Sequence, residues 1–178
     1  MDKIYKRVNG AWVDSSEENR IVDFVCYVGE NVTLTIKRNT DGVTDTAYLE
    51  GVGATKDYTK EDVKPWAEYI PMITAIHIGA GVTSLGDYLF AEHTAVKQLT
   101  FEDSSTVAHL GDRCFWRCQF NGEFAFPGLT DSTMSRAFAA CVNLEAVKLS
   151  DKVTAIGDNA FLNCINLLSV TGLGNVTS

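Results

Sequence analysis

Apolar positions in the second half of the chain return with a period of about 23 residues. Each copy opens on an apolar-x-x-apolar-x-apolar triplet: Ile73/Ile76/Ile78, Val96/Leu99/Phe101 and Leu144/Val147/Leu149. A second apolar pair follows after a loop, as Val82/Leu85, Val107/Leu110 and Val153/Ile156. Then comes a single aromatic, Phe90, Phe115, Phe138 or Phe161, spaced 25, 23 and 23 residues apart. His93, Cys118, Cys141 and Cys164 stand three residues after these aromatics. The third copy keeps only Phe124 and Phe126 of its triplet, with Asn121 in the first slot. Each triplet predicts a short strand whose second and third members point inward, because alternate residues of a strand share a face. A fixed period of this length predicts a solenoid: short parallel strands joined by loops and short helical turns. One copy buries too few apolar side chains to offset the ordering of its own residues, so only stacked copies fold.

Between the apolar pair and the aromatic lie Gly86, Gly111 and Gly157, expected at tight turns of positive φ, with Ser135 at that place in the third copy. Asp87, Asp112 and Asp158 follow directly and are expected to cap the short helical turn that carries each Phe. The first half of the chain has a different rhythm. Tyr5–Val8 and Ala11–Val13 flank Asn9-Gly10, a strong hairpin signal. Residues 21–28, 32–36 and 44–50 read as strands separated by Gly29-Glu30-Asn31 and Asn39-Thr40-Asp41-Gly42, and residues 59–69 offer one helical turn beside Pro65-Trp66. The organisation expected is a hairpin over 1–20, an antiparallel β cap over 21–71, and about four and a half repeats over 72–178.

Composition narrows the partners. A net charge of −8 and a pI near 4.8 argue against nucleic acid or an anionic membrane surface. No apolar run reaches the length of a spanning helix, and the first seven residues lack the apolar core of a secretory leader. An odd count of five cysteines, with no CxxC, does not describe a disulfide framework. Buried apolar fillers account best for them, with a disulfide between adjacent copies or a metal site as alternatives.

The stretch Val153-Thr154-Ala155-Ile156-Gly157-Asp158-Asn159-Ala160-Phe161-Leu162-Asn163-Cys164 resembles, nearly position by position, the repeat of the BspA-like family of bacterial leucine-rich repeats. Val82 to Phe90 and Ala137 to Cys141 carry the same motif. Gly51/Gly53, Asp57-Tyr58 and Pro65-Trp66 resemble the segment such proteins place before their first repeat, which implies that Trp66 covers the first copy. The resemblance implies a cell-surface adhesion or ligand-binding module and no catalysis. Separately, Arg7-Val8-Asn9-Gly10-Ala11-Trp12-Val13 looks like short segments near the start of phage and prophage structural proteins, which would make Tyr5, Arg7 and Trp12 docking residues toward other virion proteins. Hairpin chemistry alone explains the same residues.

Candidate chemistry is sparse. His77, His93 and His109 are spaced 16 and 16, out of step with the repeat, so they share no metal site. No nucleotide, hydrolase or zinc motif is present, and no cofactor is expected. Outward positions of stacked strands do form columns: His77, Thr100, Ala125, Lys148 and Thr171 in one, Ala75, Gln98, Glu123, Ala146 and Ser169 in the next, and a third that includes Gly79 and Glu102. A face led by His77, Gln98, Thr100, Glu102, Glu123, Lys148, Ser169 and Thr171 suits a flat contact with a protein or glycan on a host surface. Equally, such residues keep a parallel sheet soluble. The columns hold no aromatic that would stack on sugars. The function expected is non-enzymatic recognition by a homo-oligomer on a virion, with a bacterial cell-surface adhesin as the alternative. A hydrolase using Glu123 or His77 stands last.

Overall fold

In the computed structural model the triplets form strands and the chain is strand-rich and nearly helix-free. Residues 23–102, 106–126, 128–130 and 135–176 are described in full, and residues 5–8 and 11–14 as backbone. Strands β1 (Tyr5–Val8) and β2 (Ala11–Asp14) pair antiparallel, from Tyr5 opposite Asp14 to Val8 opposite Ala11. The side chains of Tyr5, Arg7 and Trp12, and the Asn9-Gly10 turn, fall outside the described residues.

A five-stranded sheet follows in the order β3-β4-β5-β7-β9. It is built from β3 (Phe24–Tyr27), β4 (Val32–Arg38), β5 (Asp45–Gly51), β7 (Ile73–Ile78) and β9 (Gln98–Phe101). Within this sheet β3, β4 and β5 pair antiparallel. From β5 onward every pairing is parallel, one strand per copy. A second ladder runs through β6 (Gly53–Ala54), β8 (Val82–Leu85) and β10 (His109–Leu110), also parallel. The third sheet joins β11 (Gly122–Phe126), β12 (Leu144–Leu149) and β13 (Ser169–Thr171). The segment from Asp45 to Tyr58 therefore already runs as a coil beside the first repeat, so the antiparallel part of the cap is smaller than its sequence suggested.

The aromatic of each copy lies on a third side of the coil. Phe90, Phe115, Phe138 and Phe161 stack with centroids 5.8, 5.5 and 5.5 Å apart and interplanar angles of 8–12°. The turns carrying them are not helical; the only helix among the described residues is the 3₁₀ turn Ala67–Tyr69. Two residues in each turn take positive φ: Tyr88 and Glu92, Arg113 and Arg117, Arg136 and Ala140, Asn159 and Asn163. Left-handed residues at this spacing point alternate N–H groups toward the next coil. The N–H groups of Tyr88, Phe90 and Glu92 donate to the carbonyls of Asp112, Cys114 and Trp116 at 2.9, 2.8 and 2.7 Å. Arg113, Phe115 and Arg117, and then Arg136, Phe138 and Ala140, repeat the pattern onto the following copies. The strain of a left-handed non-glycine residue is thus offset by a backbone bond at each step.

This geometry corrects three local expectations. Gly86, Gly111 and Gly157 do not take positive φ; the first two are glycine because the neighbouring coil passes too close. A Cβ on Gly86 would meet the Lys56 carbonyl oxygen at 2.2 Å, and one on Gly111 the Asp87 nitrogen at 2.4 Å. Asp87 does not cap its own turn: its Oδ1 accepts the N–H of Asp112 at 2.7 Å, just as Asp57 Oδ1 accepts that of Asp87 at 2.9 Å. Ser135 is in register with Asp112, since the Arg113 N–H donates to its carbonyl, so the glycine slot of the third copy falls one residue earlier. Gly111→Ala is expected to cost about 2 kcal/mol, as overpacking against backbone that cannot retreat does. Urea unfolding checks it, and Gly174→Ala, where a Cβ meets nothing within 4 Å, is the control.

The core is one cluster running through all copies, and Phe120 supplies the volume that Asn121 cannot. Phe120 is fully buried and packs edge-on against Phe115 and Phe124, at 5.5 and 5.1 Å. The cysteines are more than fillers. Each thiol donates to the carbonyl of the preceding copy's Phe: Cys118 to Phe90 and Cys141 to Phe115, both at 3.2 Å, and Cys164 to Phe138 at 3.0 Å. All five described cysteines are free. Burial pushes the thiols of Cys114, Cys118 and Cys141 up, out of thiolate range.

At the same place in the first copy, His93 is fully buried. Its Nδ1–H donates to the Ala91 carbonyl at 3.1 Å, which leaves Nε2 to accept the indole N–H of Trp66 at 2.9 Å. Trp66 is itself fully buried and meets Tyr58 edge-on at 5.5 Å. The cap is thereby latched to the first coil through one neutral imidazole.

Candidate recognition face

Period two decides which residues leave the core. Along β7, Ile76 and Ile78 are buried while Ala75 and His77 face out; β12 repeats this with Val147 and Leu149 in, Ala146 and Lys148 out. The parallel register then aligns outward residues of successive strands. His77 sits opposite Thr100, with Nδ1 and Oγ1 3.0 Å apart, and Ala75 sits opposite Gln98. In the other sheet Lys148 is flanked by Ala125 and Thr171, and Ala146 by Glu123 and Ser169. Thr100, Gln98, Glu123, Lys148, Ser169 and Thr171 are exposed and His77 is half-buried. Glu102 is exposed, but its Oε2 accepts the Ala80 N–H at 2.9 Å, so it also ties two loops together.

The columns are not continuous. β9 and β11 belong to separate sheets, joined inside by the Phe101 and Phe126 rings at 4.9 Å. The face is split into a half carrying His77, Gln98, Thr100 and Glu102 and a half carrying Glu123, Lys148, Ser169 and Thr171. His77 and Glu123 therefore stand in different sheets with β9 between them.

The first half extends further than the repeats. Tyr48 on β5 is the register partner of His77, and Thr35 and Val25 continue the column across β4 and β3. Tyr48 packs against the His77 ring at 5.6 Å and under the Lys37 ammonium at 4.9 Å. Tyr27, in the neighbouring column, is 71% exposed. These aromatics were absent from the columns read off the repeats alone. The alternation Thr46, Tyr48, Glu50 held the signal, but nothing in the sequence showed that β5 joins the repeat strands edge to edge.

No group of three His, Cys, Asp or Glu residues among those described is placed to hold a metal ion. No helix of the described residues is long and apolar enough to cross a membrane. Among the histidines, His93 is the latch described above, and His109 lies apart on β10.

Short parallel strands, one per copy, with a buried aromatic stack behind them define a leucine-rich-repeat protein. The chain belongs to the family described as BspA type Leucine rich repeat region (6 copies), which matches residues 68–178. A leucine-rich repeat protein from Eubacterium ventriosum ATCC 27560 shares 20% identity with a TM-score of 0.64, over 86% of this chain and 45% of its own. The T. pallidum Leucine Rich Repeat protein shares 13% identity (TM-score 0.46), over 79% of each chain. A leucine rich cell surface protein from Faecalibacterium prausnitzii A2-165 shares 18% (TM-score 0.39), over 86% of this chain and 55% of that one. The first of these likenesses concerns the fold alone, and the chain spans less than half of that protein's length. No curated protein matches the chain. The segment Arg7 to Val13 precedes the matched residues.

Proposed function

We propose that the protein is a non-enzymatic recognition module of a bacterial surface, a short solenoid that holds a protein or glycan partner against its outward strand face. The observation that carries this reading is the set of exposed polar side chains in register on parallel strands, none of them needed by the core. Membership of a family of repeat modules supports it. The strands beneath the face are hydrogen-bonded in register and share the common core, which fixes the spacing of its side chains. Rigid positioning of many small contacts suits binding without a large entropic cost of ordering.

The test is saturable binding of the labelled chain to a panel of bacterial and host cell surfaces. A triple variant, Gln98→Arg/Thr100→Arg/Glu123→Arg, is expected to bind at least about tenfold more weakly, the scale of losing one binding hot spot. Its melting temperature should be unchanged, since exposed substitutions away from the core cost within about 0.5 kcal/mol. Undiminished binding by a folded triple variant would exclude the face as the contact surface.

A further inference from the structure

We infer that the cleft at the carboxyl ends of β11 and β12 is a binding site for an acidic sugar, the carboxylate of a uronate held by Lys148 and Lys152. The inference rests on the recognition face proposed above and names what its second half binds. The cleft has a volume of about 360 Å³ and is lined by Lys148, Ser150, Asp151 and Lys152 over Ala125, Phe126 and Leu149. That volume lies at the small end of ligand sites, which run roughly 300–1,000 Å³.

Charge is the first argument. The protein carries a net charge of −8, yet this cleft is lined by two lysines and one aspartate. Ion pairs between described residues all use arginine: Arg38 with Asp45, Arg113 and Arg136 with Asp112, and Arg117 with Glu92. Lys148 and Lys152 have no carboxylate partner within ion-pair distance among the described residues. The strand neighbours of Lys148 are Ala125 and Thr171, both short and uncharged, so its ammonium stands clear of the sheet. Two lysines without carboxylate partners, lining one cleft of an acidic protein, offer an anion a local charge complement.

The remaining lining selects among anions. Ser150 Oγ accepts the Lys152 N–H at 3.2 Å, which leaves its hydroxyl proton free to donate into the cleft. Asp151 lines the same space, and its carboxylate repels a purely anionic chain but accepts readily from hydroxyls. A ligand carrying one carboxylate among several hydroxyls satisfies both lysines, the serine and the aspartate; an acidic peptide satisfies only the lysines. The loop is also held ready, because the Asn175 side-chain amide donates to the Asp151 carbonyl. Recognition here runs through charge and hydrogen bonds, which is consistent with a half-face without aromatic platforms.

Calorimetric titration of the full chain with hexagalacturonate tests this, alongside its neutral methyl ester and a hexaglutamate peptide, at about 50 mM and about 300 mM salt. The expected result is binding of the uronate that weakens at the higher salt, with the ester and the peptide each bound at least about tenfold less well. Lys148→Glu/Lys152→Glu should weaken uronate binding about tenfold, the scale of two exposed ion pairs lost. Lys148→Gln/Lys152→Gln removes the charges without reversing them and keeps the measurement readable if the reversed pair unfolds. Equal uronate binding by the folded lysine variants overturns the assignment, as does a peptide or ester bound as tightly as the uronate, or no uronate binding at the lower salt. Cell binding lost in the outward-face triple variant but kept in the lysine pair would leave the proposed function standing and remove this site alone.

Discussion

Phe115→Ala is expected to lower the unfolding free energy by about 4 kcal/mol, in the range of deleting a buried aromatic ring. The ring is fully buried and stacks on both neighbours, Phe90 at 5.8 Å and Phe138 at 5.5 Å, with Phe120 against its edge. Its loss breaks the column between the second and third coils, where the strand face is already divided between two sheets. In a repeat array, stability is carried by nearest-neighbour contacts, so a central break uncouples the two ends. Phe161, at the end of the stack, has Phe138 as its one ring neighbour among the described residues and is half-buried. Phe161→Ala should therefore cost about 1–2 kcal/mol, the cost of partial apolar exposure. Urea unfolding followed by tryptophan fluorescence and by circular dichroism measures both. Two separated transitions for Phe115→Ala would report the uncoupling directly. A cost no greater than that of Phe161→Ala would show that the stack does not bind the coils together.

The second large effect is acid sensitivity at the latch between cap and first coil. Burial depresses the His93 pKa to about 4 from the ordinary 6.5. Above pH 6.5 the imidazole is neutral in both folded and unfolded chains and contributes no pH dependence. Between 6.5 and about 4 the unfolded chain takes up a proton that the folded chain refuses, so stability falls as pH falls. Below about 4 the loss is complete. Over that window the loss amounts to about 3 kcal/mol, at about 1.4 kcal/mol per unit. His93→Gln keeps an acceptor for the Trp66 indole and removes the titration. Carboxylates elsewhere affect both proteins alike, so the difference in unfolding free energy between them, measured from pH 7 to 4, isolates the histidine. Parallel curves for wild type and His93→Gln would show that His93 does not carry the acid response.

Much of this was legible in the sequence, for a physical reason. A period of 23 residues forces equivalent residues into equivalent surroundings, so Ile76, Leu99 and Val147 could be placed in the core without any structure. The same logic exposed the outward columns. What it missed were contacts between coils. Gly111 looked like a turn former because glycine is usually explained by its own backbone, whereas here the reason is an Asp87 nitrogen one copy away. Asp87 looked like a local cap because capping is a local rule, yet its carboxylate serves the next copy. Phe120 escaped because the third copy shifts register between Gly122 and Glu123, which moves a core residue outside the triplet. Tyr48 joined the face through a parallel pairing between a cap strand and a repeat strand, which periodicity within the repeats could not show. The lysine cleft left no motif at all, because Lys148 comes from a strand and Lys152 from the loop after it.

The residue three places after each aromatic has a consequence for how such a chain lengthens over generations. Cysteine at that place gives a hydrogen to the coil behind it, while His93 takes one from the cap. The side chain thus records whether the coil before it presents a repeat Phe carbonyl or the Trp66 indole. Tandem duplication of an internal copy inserts another giver where a carbonyl waits, and the array closes as before. Duplication of the first copy strands a second imidazole with no indole to meet it. Copying an interior coil thus keeps the hydrogen bond at this place, whereas copying the first leaves a buried acceptor without its donor.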